Sequence, residues 1–170
     1  MPHEPPDFDP RRILDTLVRH GVDFVVIGGL AGMAHGSAYN TDDTDVTYGR
    51  THDNLERLAA ALAELEATLR GPNVPPDLPF VPDAETLRRG ANFTFTTKHG
   101  ILDILGDPAG APRYHDLVAD AVEVDIAGVR VRVSSLDHLI AMKEAAGRPR
   151  DKLAAMEYRT LSDELRRPEA

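Results

Sequence analysis

Cysteine is absent from the 170-residue sequence. Disulfides, thiolate nucleophiles and cysteine-based zinc or iron sites are thereby excluded. No hydrophobic run is long enough to span a bilayer. The most apolar stretch, FVVIGGLAGMA from Phe24 to Ala34, falls far short of the roughly 20 residues a spanning helix needs. The opening MPHEPPDFDP lacks the basic and apolar segments of a secretion signal, so the expected location is the cytoplasm, with no membrane partner. An excess of basic charge is missing too. With 28 acidic and 19 basic residues the net charge is −9, which argues against a general nucleic-acid coat working by phosphate neutralisation. A local basic groove remains open to Arg88, Arg89 and Lys98, or to Lys143, Arg148, Arg150 and Lys152. What is present suits a globular fold. Hydrophobic residues make up 42% of the chain, and its length closes a real core within one domain.

Periodicity gives the order of elements. Asp9-Pro10 reads as the cap and first residue of a helix in which Ile13, Leu14, Leu17 and Val18 recur until Gly21. Val22 to Ile27 reads as a buried strand, followed by Gly28-Gly29 and a short apolar helix through Ala34. Asp43 to Tyr48 alternates as a second strand. Thr51 can cap a helix whose stripe is Leu55, Leu58, Leu62, Leu65 and Leu69. Gly71 to Asp83 contains Pro72, Pro75, Pro76, Pro79 and Pro82 and is expected as a long irregular loop. Two hairpins follow, Phe93–Thr97 with Ile101–Leu105 and Ala121–Ile126 with Val129–Val133. Ser134 with Asp137 resembles a capping box for a helix through Ala146, and Arg148-Pro149 opens a last helix towards Leu165. The expected class is α/β (α+β), a mixed sheet flanked by helices, with an α/β core over 1–133 and a helical part over 134–170.

The stretch TDDTDV, Thr41 to Val46, concentrates three carboxylates in four residues. On a strand Asp43 and Asp45 emerge on one face, and two such carboxylates repel unless something positive joins them. Hard oxygen donors suit Mg²⁺ or Mn²⁺, ions that also bring phosphate groups. Asp103, central in ILDIL, places a further charge in an apolar strand. If that strand lies beside the first, the three form a cluster of the two-metal kind. The alternatives are turn chemistry for the first pair, and an ion pair with Lys98 or an arginine for Asp103. Gly28 and Gly29, between strand and helix, offer backbone N–H groups as a phosphate cradle, or simply a tight turn. His35 reads as a helix-end residue and His99 as an exposed hairpin residue.

VVIGGLAGMAHGSAYNTDDTDV together with ILDIL resembles the nucleotidyltransferase superfamily, the polymerase-beta-like fold. The tail LDHLIAMKEAAGRPRDKLAAM is similar to the ending of small abortive-infection (AbiEii-like) toxin-type nucleotidyltransferases. Two positions depart from that pattern: Tyr39 stands where such proteins often carry Arg, and Thr44 where they usually carry an apolar residue.

The resemblance implies a nucleotide-binding role for Gly28, Gly29, Lys143 and Arg148, and metal binding by Asp43, Asp45 and Asp103. It implies that Lys143 reaches the triphosphate and that Asp151 orients it or another basic group. Helix-dipole roles remain the alternative for Lys143, Arg148 and Asp151. It further implies an NTP substrate, a tRNA 3′ end as acceptor, and a cognate antitoxin protein in a toxin–antitoxin system. A small-molecule acceptor and a non-catalytic binding module are the competing readings. Thr41 is a candidate phosphorylation site, since a phosphate there would compete for metal; its other reading is a turn cap.

Overall fold

The computed structural model describes residues 6–75, 78, 80 and 82–169. Chain order is α1 (Pro10–Arg19), β1 (Phe24–Ile27), α2 (Gly28–Ala34), β2 (Asp43–Tyr48), α3 (His52–Glu64), β3 (Thr68–Arg70) and α4 (Ala84–Arg89). Then come β4 (Asn92–Thr97), β5 (Gly100–Leu105), α5 (Tyr114–Asp120), β6 (Val122–Ile126), β7 (Val129–Val133), α6 (Leu136–Ala146) and α7 (Pro149–Arg166). The strands form one mixed sheet in the order β3-β4-β5-β2-β1-β7-β6. β2 runs parallel to β5 and β1 parallel to β7, while the other neighbours are antiparallel.

Alternation along the strands gives the sheet two different faces. Val46, Tyr48, Leu102, Ile104 and Phe95 point into a core with Ile13, Leu14 and Leu17 of α1 and Leu55, Leu58 and Leu62 of α3. Asp43, Asp45 and Asp103 point to the other face, which α2, α6 and α7 partly cover. Asn54, 1% exposed, ties the far end of β1 to the end of β2. It accepts from the Asp23 amide at 2.7 Å and donates to the carbonyls of Asp23 at 3.0 Å and Gly49 at 2.6 Å.

Several elements differ from expectation for local reasons. The leucine stripe of α3 stops at Leu65, because Glu66 turns left-handed at φ 53°. Leu69 then lies on β3, paired with Phe95. Helix α4, capped by the Asp83 carboxylate on the Thr86 amide at 2.7 Å, and helix α5 are two short helices that the periodicity does not predict. Ser135, not Ser134, caps α6, accepting from the His138 amide. Ser134 instead continues β7, its amide donating to Val26 O at 3.0 Å. Val18, assigned to the apolar stripe of α1, is 43% exposed. Pro76 and Pro79 of the expected loop lie outside the described residues.

Candidate active site

Parallel pairing of β2 with β5 sets Asp45 opposite Asp103, and Asp43 lies two residues earlier on the same face. One carboxylate oxygen from each of the three lies within 4.8 Å of the others. Burial above all, then the Asp43 charge and the hydrogen bond and charge of Asp103, pushes the Asp45 pKa up to about 8, with Lys143 opposing. Asp103 Oδ1 is buried with no hydrogen-bond partner among the described residues. Crowded carboxylates with a proton held above neutrality and an unpartnered oxygen are the environment a divalent cation stabilises. The donor set is all oxygen, so the residues fit Mg²⁺ or Mn²⁺.

The elements around the triad hold it in place. Thr41 Oγ1 donates to Asp43 Oδ1 at 2.8 Å and fixes that carboxylate from the preceding loop. Gly28 has φ 65°, and a Cβ there would overlap the Asp45 carboxylate. A Cβ at Gly29 would lie 2.7 Å from Thr41 Cβ. The glycine pair thus lets Asp45 and Thr41 abut the first turn of α2, while both glycines also line the cleft above the triad. Thr44 points the other way, fully buried, and its hydroxyl has no partner among the described residues.

That cleft has a volume of about 710 Å³. Its floor is the carboxylate face of the sheet. One wall comes from α6 and α7 with Lys143, Arg148, Arg150, Leu153 and Tyr158; the opposite side has Asn92 and Thr94 of β4. Asp151 is a buried carboxylate, its side chain 1% exposed. It accepts from Arg148 Nε at 2.6 Å and the Arg148 amide at 3.2 Å, and Lys143 Nζ lies 3.5 Å away. The Arg148 hydrogen bond, helped by the Lys143 charge, holds Asp151 below the usual carboxylate range against its burial. Asp151 therefore both caps α7 and anchors the two cations, and it stands apart from the acidic triad.

Other expectations are corrected. Arg88 and Arg89 of α4 pair with Glu85, at 2.6 and 2.9 Å, on a helix whose Leu87 packs in the core on the opposite face from the triad. Lys98 joins Arg12 and Arg19 around a separate depression of about 180 Å³ against α1. No basic groove of Arg88, Arg89 and Lys98 meets the site. His99 is half-buried rather than exposed, and burial with the charges of Arg12 and Lys98 lowers its proton affinity. His35 does end α2, with Nε2 2.8 Å from Ser134 O.

Two residues escaped the sequence. Tyr158 is 3% exposed, with its hydroxyl packed against Gly32 of α2. Burial, then the charges of Glu157 and Asp45, raises its pKa. Glu157 accepts from Ser37 Oγ and from the Ala38 amide, tying the loop after α2 to α7. Neither carried a local signal, because each acts through a residue more than a hundred positions away. Tyr39, in the same loop, is 58% exposed at the cleft mouth.

No family model matches the chain, and no curated protein does. Among solved structures it is similar to the antibiotic-resistance factor ANT(2'')-Ia, with TM-score 0.56 and 19% identity over 92% of this chain and 82% of that one. It is similar to the lincosamide antibiotic adenylyltransferase LnuA in its lincomycin-bound form, with TM-score 0.60 and 12% identity over 91% and 99% of the two chains. It is also similar to a candidate nucleotidyltransferase from Thermotoga maritima, with TM-score 0.55 and 17% identity over 95% and 99%. Likeness at such identities is one of backbone architecture. The chain has the nucleotidyltransferase fold.

Proposed function

We propose that the protein is a metal-dependent nucleotidyltransferase that moves a nucleoside monophosphate from an NTP to an acceptor hydroxyl: the hydroxyl oxygen bonds to the α-phosphorus as the α–β phosphoanhydride bond breaks and pyrophosphate leaves. The observation that carries this reading is the register of β2 and β5. It gathers Asp43, Asp45 and Asp103 into one cluster with an unsatisfied oxygen, below a wall of cations. Asp43, Asp45 and Asp103 would hold Mg²⁺ or Mn²⁺. Such ions, when bound, supply Lewis-acid charge stabilisation at the transferring phosphoryl group. Lys143 and Arg148, anchored by Asp151, bind and orient the triphosphate, aided by the N–H groups of Gly28 and Gly29. Asp103, at the β4 side of the triad, faces the acceptor and helps withdraw its hydroxyl proton.

For the acceptor the proposal is RNA, with the tRNA 3′ end preferred, and the biological role is that of a toxin restrained by a cognate antitoxin. What supports it is the resemblance of the tail LDHLIAMKEAAGRPRDKLAAM to toxin-type nucleotidyltransferases. A second reading, transfer to a small molecule, is favoured by a different observation. The cleft volume is of drug-ligand size, and LnuA, whose name gives an antibiotic substrate, shares the fold over 99% of its own chain.

The test is incubation with each labelled nucleoside triphosphate, Mg²⁺ or Mn²⁺, and total RNA, using wild type and Asp43→Ala. Label entering a tRNA-sized band only with wild type supports the RNA reading. Metal-dependent triphosphate binding without RNA labelling moves the assignment to a small acceptor. A folded Asp43→Ala protein with full turnover overturns nucleotidyl transfer by this site.

A further inference from the structure

Strand register draws a straight row across the sheet on the carboxylate face. Ile27 of β1 pairs with Asp45 of β2, Asp45 with Asp103 of β5, Asp103 with Thr94 of β4, and Thr94 with Arg70 of β3. The face of Arg70 follows from its neighbour. Leu69 packs against the core and pairs with buried Phe95, so Arg70 and Thr94 emerge on the triad side. With adjacent strands ~4.8 Å apart, Arg70 stands two strands, or ~10 Å, beyond Asp103.

The chemistry of that stretch is one-sided. Thr68, Arg70, Asn92, Thr94 and Thr96 share the face over β3 and β4, and Arg70 is the single formal charge among them. Thr68, Arg70 and Asn92 are exposed. Among the described residues Arg70 has no ion-pair partner, whereas Arg88 and Arg89 are engaged by Glu85. Asn92 and Thr94 line the cleft directly.

We infer that Arg70 is an acceptor-specificity residue that binds a backbone phosphate of a single-stranded RNA whose 3′ end lies at Asp103. The inference rests on the nucleotidyl-transfer reading and deepens it. RNA entering over the β3 edge brings a phosphate to Arg70, and Thr94 and Asn92 offer neutral hydrogen bonds to the sugar between. The terminal hydroxyl then meets the carboxylate row. An acceptor of positive charge would be repelled at the same place.

The probe is a short, 5′-labelled single-stranded RNA with a free 3′ hydroxyl, titrated with wild type, Arg70→Gln and Arg70→Lys in Mn²⁺ while anisotropy is followed over a salt series. Arg70→Gln should weaken binding about tenfold and flatten the log K against log salt slope by ~0.7, and Arg70→Lys should restore the slope. Binding of an NTP, measured separately, should be equal in all three proteins. Unchanged RNA affinity and slope in Arg70→Gln overturns the inference, and so does a wild type that binds NTP but not RNA. Absence of both NTP and RNA binding overturns the nucleotidyl-transfer reading along with it.

Discussion

Asp45→Asn separates the cost of the acidic cluster from its use. In the wild type Asp45 holds its proton up to a pH of about 8, against 3.8 for an ordinary aspartate. Between those values the folded chain keeps a proton that the unfolded chain has released, so stability falls as pH rises, with a limiting slope of ~1.4 kcal/mol per pH unit. The loss is complete once the pH passes the folded-state value. The rise corresponds to at most ~6 kcal/mol; water entry and rearrangement of the open cleft should reduce it to about 2 kcal/mol. Asparagine has the same shape and no charge to expel. The metal-free variant should therefore be more stable than wild type at pH 8, by ~4–8 °C in melting temperature for a chain of this size, and equal to it near pH 4.

Metal should reverse the order. At a hundredfold excess over its dissociation constant, a cation bound to the folded wild type adds ~2.7 kcal/mol, a further rise of several degrees. The variant, lacking a central ligand, should show little of it. Thermal unfolding of both proteins across pH 4 to 8, with chelator and with Mn²⁺, measures every term. If Asp45→Asn is less stable than wild type at pH 8 in chelator, or if Mn²⁺ stabilises both equally, the argument from a repelling, cation-seeking cluster fails.

Gly28→Ala should disturb the same site from behind. It forces a side chain onto φ 65° and into the Asp45 carboxylate, so the Mn²⁺-induced rise in melting temperature should shrink at least by half. Asp151→Asn weakens the anchor of Lys143 and Arg148. A drop of ~1–3 kcal/mol at neutral pH is expected, shrinking as pH falls towards acid, because the wild-type carboxylate is held below its usual range. Denaturant unfolding at two pH values reads it. Thr41→Glu adds charge at a residue whose hydroxyl lies 2.8 Å from a candidate metal ligand and should abolish turnover in the labelling assay, where full activity would remove Thr41 as a regulatory site. Asn54→Ala strips three hydrogen bonds from a buried junction and should cost ~2–4 kcal/mol in urea unfolding without altering metal response.

Legibility in the sequence followed the range of the interaction. Asp43 and Asp45 could be read because strand alternation places them together locally, and Asp103 because a charge inside ILDIL is anomalous on its own. Helix α7 was readable from Pro149 and its cap. The leucine period of α3 misled at Leu69, since a stripe at helical spacing cannot reveal that Glu66 turns the backbone left-handed. Arg88 and Arg89 looked like a free basic pair, but Glu85 sits three and four residues before them, the spacing at which helical side chains meet. That pairing was available from the sequence once 84–89 was taken as helix. Tyr158 against Gly32 and Glu157 on Ser37 were not available, because only the docking of α7 on α2 brings them into contact.

The division of charge across the cleft accounts for the composition of the chain near its site. Carboxylates stand on strands, where the sheet holds them rigidly at fixed separation, as metal ligands require. The cations stand on α6 and α7, and two of them, Lys143 and Arg148, are tethered by a carboxylate at the N-terminus of α7. An ordinary exposed lysine would be screened and mobile. Here a buried Asp151 limits where both charges can go, so under the proposed function the two side chains are positioned before a triphosphate arrives. The Arg148 hydrogen bond, with the charge of Lys143, lowers the proton affinity of Asp151, whereas burial first, and then the neighbouring carboxylates of the sheet, raises that of Asp45. Neutralising Asp151 should therefore raise the KM for the nucleotide more than it lowers kcat, whereas neutralising Asp45 should remove kcat. A kinetic comparison of the two asparagine variants showing the opposite split would mean that the helices, not the sheet, hold the reacting centre.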